Sequence, residues 1–135
     1  DLAGELTGSI AGSTGSGLKF GSATSKDITW EGMTLGTNAV GIETAGKGAI
    51  TLINSDFANG KDVVITGTAN VDFIEGTVDS TSVEVTGNGV YQRMRYLDVN
   101  VEAGGSPVSG ANVVLKDGAG KLIIYHINFE KERLR

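Results

Sequence analysis

Apolar residues in this chain come in short runs, about five positions long, set between small or turn-forming residues. The runs are ITWEGMTL (28–35), VGIETA (40–45), AITLINSDF (49–57), DVVITGTANVDFIEG (62–76) and TSVEVTGNGV (81–90). Apolar and polar positions alternate cleanly in VEV (83–85) and partly in ITLIN (50–54). A strand places successive side chains on opposite faces, so this period of two predicts short strands. No helical stripe competes, because glycine interrupts every candidate helix. The apolar residues are mostly Val and Ile, whose branched Cβ suits strands.

After residue 90 the pattern changes. In YLDVNVE, Tyr96, Asp98, Asn100 and Glu102 sit opposite Leu97, Val99 and Val101, which predicts a strand. GGSPVSG (104–110) predicts a turn, ANVVLKD (111–117) a second strand, DGAG (117–120) a hairpin turn and KLIIYHINF (121–129) a third strand. The last residues, EKERLR, are charged and predict a frayed end. Residues 1–27 are rich in Gly and Ser, yet Leu6, Ile10, Leu18 and Phe20 recur too regularly for a pure linker. Partial order is expected there. The chain therefore divides into a Gly/Ser/Thr-rich β-repeat segment, 1–90, and a three-strand segment, 91–135.

One echo stands out. Asn54–Gly60 and Asn70–Gly76 both read N-x-D-F-x-x-G, sixteen positions apart. Either two carboxylates, Asp56 and Asp72, are placed together, or this is the corner of a repetitive fold.

Composition narrows the classes. The chain of 135 residues is 39% hydrophobic but 6% aromatic, with 21 Gly and a single Pro, which suits many tight turns. A net charge of −5 argues against a nucleic-acid partner, which would require clustered Lys and Arg. No apolar run approaches the ~18–20 residues of a membrane-spanning helix. Without Cys there is neither a disulfide nor a thiolate metal site. The Thr/Ser/Gly/Val bias and the acidity point to an extracellular or cell-surface location. The first residue is Asp1, so the expectation is a removed leader or a piece of something longer.

Two resemblances follow from these residues. The Val/Ile/Thr runs, the Asn and Gly corners and the N-x-D-F-x-x-G echo of residues 28–90 resemble right-handed parallel β-helix repeat proteins of the pectin-lyase-like class. Coils in such folds take ~20 or more residues, which a spacing of sixteen does not match. YLDVNVEAGGSPVSGANVVLKDGAG (96–120) resembles the start of small Ig-like modules of the carboxypeptidase-regulatory type. The residues that carry this second likeness are Val99, Val101, Ser106, Pro107, Val108, Gly110, Ala111, Val113, Asp117 and Gly120. Both resemblances imply a prokaryotic surface protein. The expected fold is all-β, a short parallel β-helix-like segment leading into an Ig-like antiparallel one, with a single β-sandwich as the alternative. Three strands fall short of the ~7 of a sandwich, so completion by another chain, and hence self-association, is expected.

The candidate chemistry is thin. Asp56 and Asp72 would share a face if their segments were equivalent strands about 4.8 Å apart, close enough to share a cation or a proton or to serve glycoside hydrolysis. The plainer reading makes Asn54 and Asn70 turn caps, leaves the Asp side chains in water and puts Phe57 and Phe73 in the core. Trp30 beside Glu31 could stack on a sugar, although a lone Trp in a strand is more often core. His126 has no second His or Cys to form a metal set or triad. Tyr91, Arg93 and Arg95 could hold an anion or form a solvated junction. No Ca²⁺ loop, P-loop or dinucleotide fingerprint is present, so no cofactor or metal is expected. The expected function is a non-catalytic structural or adhesive segment, attached to neighbouring domains. The alternatives are a carbohydrate-binding or carbohydrate-cleaving module using Asp56, Asp72, Trp30 and Glu31, and a filament subunit donating residues 1–27 as a strand.

Overall fold

The structure is a computed structural model that describes residues 8–112 and 114–122. It is all-β and falls into two compact units, the first ending at Tyr96 and the second beginning at Leu97.

The first unit is a parallel β-solenoid of about four turns. Its strands are β1 (Gly8–Ala11), β2 (Ser16–Phe20), β3 (Ile28–Glu31), β4 (Met33–Gly36), β5 (Val40–Thr44), β6 (Ile50–Ala58), β7 (Lys61–Ile65), β8 (Asn70–Thr77), β9 (Val83–Val85) and β10 (Val90–Met94). Strands alternate between two parallel sheets. One holds β2-β5-β7-β9 and the other β1-β4-β6-β8-β10, with β3 also on β6. No strand of this unit pairs with its neighbour in sequence, because each hydrogen-bonds to the strand one coil away.

The larger sheet is bent into two faces. Gly32, Asn54 and Glu75 stack at the bend, all with positive φ (70°, 49° and 57°). Asn adopts this left-handed region more readily than most residues, and Gly without strain. Gly76 then follows with φ 82° beneath Ser55, where a Cβ would collide with the Ser55 carbonyl. Only glycine fits there.

The register builds columns of like side chains. Ile28, Ile50, Val71 and Tyr91 form one, and Trp30, Leu52 and Phe73 another. Leu18, Ile42, Val63 and Val83 form a third on the opposite sheet. Val71, Phe73, Trp30, Leu52, Ile42 and Val63 are completely buried. Phe57 and Phe73 meet edge to face at 5.2 Å, and Phe20 and Trp30 pack at 5.7 Å. This interior supplies most of the unit's stability, at about 25 cal/mol per Å² of apolar surface buried.

The true repeat is not the N-x-D-F-x-x-G echo. Leu52 pairs with Phe73 and Thr51 with Asp72, a longer step than the echo's, so the two copies of the motif are out of register. Phe57 instead lies over the second half of the bent face, in register with Leu35. Coils shorten along the chain. Leu18 registers with Ile42, Ile42 with Val63 and Val63 with Val83, each step shorter than the one before. Of the expected corners, Asn54 and Gly76 lie at the bend, while Asn70 opens β8.

The second unit contains a small antiparallel sheet, β11 (Glu102–Ala103) on β12 (Ser106–Pro107), and a bridge between Lys116 and Leu122. The turn expected at 104–110 is partly realised, since Gly104 and Gly105 (φ 60° and 78°) link β11 to β12. The alternation at 96–101 yields no strand, and neither do the described residues of 111–117. Leu97 (59%) and Val99 (37%) remain exposed, so this alternation has no layer to bury against. The described part of the unit is thus a hairpin and a bridge rather than Ig-like strands. Val113 and most of the expected third strand, including His126, lie outside the described residues.

Candidate functional site

Three of the four sequence candidates, Asp56, Asp72 and Glu31, occupy outward-facing positions of the bent sheet. Asp56 is exposed and registers with Thr34 and Thr77, whereas Asp72 registers with Thr51 and Gln92. The two carboxylates lie on opposite sides of the bend, because Asp72 precedes Asp56's partner Thr77 by most of the length of β8. At about 3.3 Å per residue that separation is well beyond sharing a proton or a cation. Trp30 is a correction. It is fully buried against Phe20, with its indole nitrogen enclosed and without a hydrogen-bond partner, so it presents no surface to a sugar. Glu31 is exposed and accepts from Asn54 Nδ2 at 3.4 Å. The structure does not bring the four candidates together.

Side chains that sequence reading missed form a polar corner between the bent sheet and the smaller one. Asn38, 2% exposed, donates from Nδ2 to the Ile10 carbonyl (3.0 Å) and to Asn59 Oδ1 (2.9 Å). Its own Oδ1 accepts from the Ser13 amide at 2.9 Å. Asn59 repeats the pattern one coil on, donating from Nδ2 to the Leu35 carbonyl at 2.9 Å. Below it Asp62, 1% exposed, accepts from the Asn59 amide (2.8 Å) and Nδ2 (3.1 Å) through Oδ1, and from the Asp79 amide (3.0 Å) through Oδ2. A buried carboxylate is costly unless hydrogen-bonded, and here two of the three donors are the backbone amides of Asn59 and Asp79. A shallow depression of about 350 Å³ beside this corner is lined by Asn59, Lys61, Asp79, Thr81, Ser82 and Glu84. Its charged groups are already engaged within the chain. Lys61 pairs with Glu84, and Asp79 accepts from the Thr81 hydroxyl (2.7 Å) and amide (2.9 Å), which lowers the Asp79 carboxyl below its ordinary value.

A signal for this corner was present in the sequence. Asn38 and Asn59 each precede a buried aliphatic residue, Ile42 or Val63, by the same interval, and the two asparagines stand one coil apart. The pairs Ala45-Gly46, Thr66-Gly67 and Thr86-Gly87 recur at nearly the same step.

The last coil accounts for the basic cluster. Tyr91 and Arg93 occupy inward-facing positions of β10, in register with Val71 and Phe73. The Tyr91 hydroxyl is buried without a hydrogen-bond partner. Burial pushes its ionisation upward, partly offset by Arg93, and Asp62 adds to the rise. Arg93 folds over the end of the coil and donates to the carbonyls of Val78 (3.3 Å) and Gly76 (3.4 Å). Arg95 pairs with Glu75 at 3.5 Å, while Glu75 also accepts from the Tyr96 amide at 2.7 Å. On the smaller sheet Glu43 accepts from the Ser16 hydroxyl at 2.6 Å and pairs with Lys19 at 3.1 Å. The Ser16 bond, then Lys19, holds the Glu43 carboxyl below its ordinary value, against a small opposing effect of burial.

Among the described residues no group of three or more acidic, His or Cys side chains is placed to hold a metal ion, and no helix is long and apolar enough to cross a membrane. No family model, no curated protein and no solved structure matches this chain.

Proposed function

We propose that this chain is a non-catalytic structural segment of an extracellular or cell-surface protein, a solenoid rod that spaces or presents its neighbours. One observation carries the reading: the buried carboxylate of the solenoid, Asp62, is taken up by three N–H donors of the corner it holds together. A general acid or base needs a group free to exchange a proton with a substrate in reach. Asp62 is committed to the scaffold, and the exposed candidates Asp56 and Glu31 stand apart from any shared cleft. The surface location rests on the Thr/Ser/Gly/Val composition and the acidity.

The test is a glycan array together with hydrolysis assays on uronic-acid polymers, using the full chain. No retention and no turnover are expected. Glycan retention or turnover that disappears in Asp56→Asn or Asp72→Asn, with an unchanged circular dichroism spectrum, would overturn the reading in favour of a carbohydrate-active module.

A further inference from the structure

Among the described residues, the strands at either end of the solenoid have no pairing partner on their outer side. At one end the edge strands are β1, β2 and β3, and at the other they are β9, β10 and the second half of β8, which β10 leaves uncovered. All the solenoid's pairings are parallel, so the two ends are not equivalent: one would receive what the other presents. The last coil stops after β10, on the first face of the bent sheet. β1 lies on the second face and β2 on the smaller sheet, which are the next two faces in coil order. A second copy laid end to end would therefore continue the coil where β10 leaves it.

Extending the observed register by one coil names the contacts. Leu18 would lie over Val83, Phe20 over Val85 and Ile10 over Val78. Of these residues Val85 is exposed (42%) and Ile10, Leu18 and Val83 are half-buried, whereas Phe20 and Val78 are already buried within their own chain. The outward column between them carries charge. Within the chain it runs Lys19, Glu43, Val64, Glu84, with Lys19 bonded to Glu43 one coil away. Extended, it places the second copy's Lys19, whose side chain is 66% exposed, directly over Glu84, at 41%, where it would join Lys61 of the first copy on the same carboxylate. The end-to-end contact thus repeats an ion pair that the solenoid already makes inside itself. An unpaired parallel edge is a template for a further strand, and matched charge fixes which strand and in what register.

We propose that this solenoid associates head to tail with second copies of itself, the first coil of one seated on the last coil of the next, and that Arg93 is the latch on this contact. Gly76 and Val78 are two positions apart and direct their carbonyls the same way, along the edge that β1 of the next copy would occupy. Arg93 holds those carbonyls in the isolated molecule and must swing away for stacking. The contact is heterologous and does not close, so it builds filaments rather than dimers. It does not depend on whether the outer faces bind a glycan. It also differs from strand donation by residues 1–27, since residues 8–11 and 16–20 pair within their own chain.

Sedimentation velocity of the full chain over a wide concentration range tests this. Association is expected to rise with concentration and to become stronger in Arg93→Ala. Lys19→Glu alone and Glu84→Lys alone should each associate about tenfold more weakly or worse, because each sets like charges against one another at the junction. An equimolar mixture of the two single variants should recover assembly, since every mixed junction again joins opposite charges. Val85→Asp, placing a carboxylate on the apolar end, should weaken assembly even if a charge variant fails to fold. Circular dichroism checks folding throughout. A strict monomer in both the parent and Arg93→Ala, or assembly that neither single variant weakens, or a mixture that does not recover, overturns the proposal.

Discussion

Asn70–Ile74 and residues 96–101 carry the same pattern, alternating apolar and polar positions, and meet different fates. In the first, Val71 and Phe73 are completely buried and the strand is paired on both sides, with β6 and β10. In the second, Leu97 and Val99 stay in solvent and no strand forms. Alternation states which side of a strand could be buried, but not whether anything lies there to bury it. In a solenoid that something is the neighbouring coil, which supplies both backbone partners and the next residue of each column. The second unit, in its described residues, has only the short pairing of β11 with β12 and one bridge.

That difference can be broken from either side. Phe73→Ala removes a ring fully enclosed between coils and in edge contact with Phe57, and should cost about 3–5 kcal/mol in urea unfolding. A loss below about 1 kcal/mol would mean that the columns do not pack as described. Acidification should produce a smaller, graded loss. The Glu43 carboxyl titrates lower in the folded chain than in the unfolded one, so its stabilisation is present above the ordinary carboxylate range and disappears as pH falls through the folded value. Urea midpoints measured from neutral pH downward should fall, and fall less steeply in Glu43→Gln. Equal slopes would remove Glu43 from the account. Leu97→Ser should sit at the bottom of the scale, within about 0.5 kcal/mol of the parent, since an exposed side chain in an unpaired segment has little to lose. A larger cost would show that residues 96–101 are buried by something after all.

The all-β class and the parallel, repetitive character of residues 28–90 were legible because β-branched runs, glycine breaks and period-two alternation are local properties. The core residues Phe57 and Phe73 were legible for the same reason. Coil length was not. The conspicuous N-x-D-F-x-x-G pair compares Asn54 at a bend with Asn70 at the start of a strand, while the real step joins dissimilar residues such as Leu52 and Phe73 or Ser55 and Gly76. A column requires only an apolar filler of suitable volume, so its members need not be identical. The bonds Arg93 makes over the end of the coil were not legible for a related reason. The Arg93 position is inward by alternation, but a charged residue reads as surface unless it is known to sit on the last coil. Asn38, Asn59 and Asp62 were passed over because a buried, fully bonded polar residue resembles an ordinary turn residue in sequence.

The shortening of the coils has a consequence for how such a chain can change. The path from Leu18 to Ile42 is longer than the path from Val63 to Val83, yet the columns stay in register throughout. Part of that excess lies in the stretch 21–27 between β2 and β3, whose residues are exposed apart from half-buried Thr24. Length at a corner is therefore a free variable, whereas length within a face is not. Thr24 and Asp27 bond to Lys47 and Ala49 of the next coil, so added residues are best accommodated at exposed Ser22 and Ala23, where they would leave every strand pairing in place and could form a loop on the solenoid's surface.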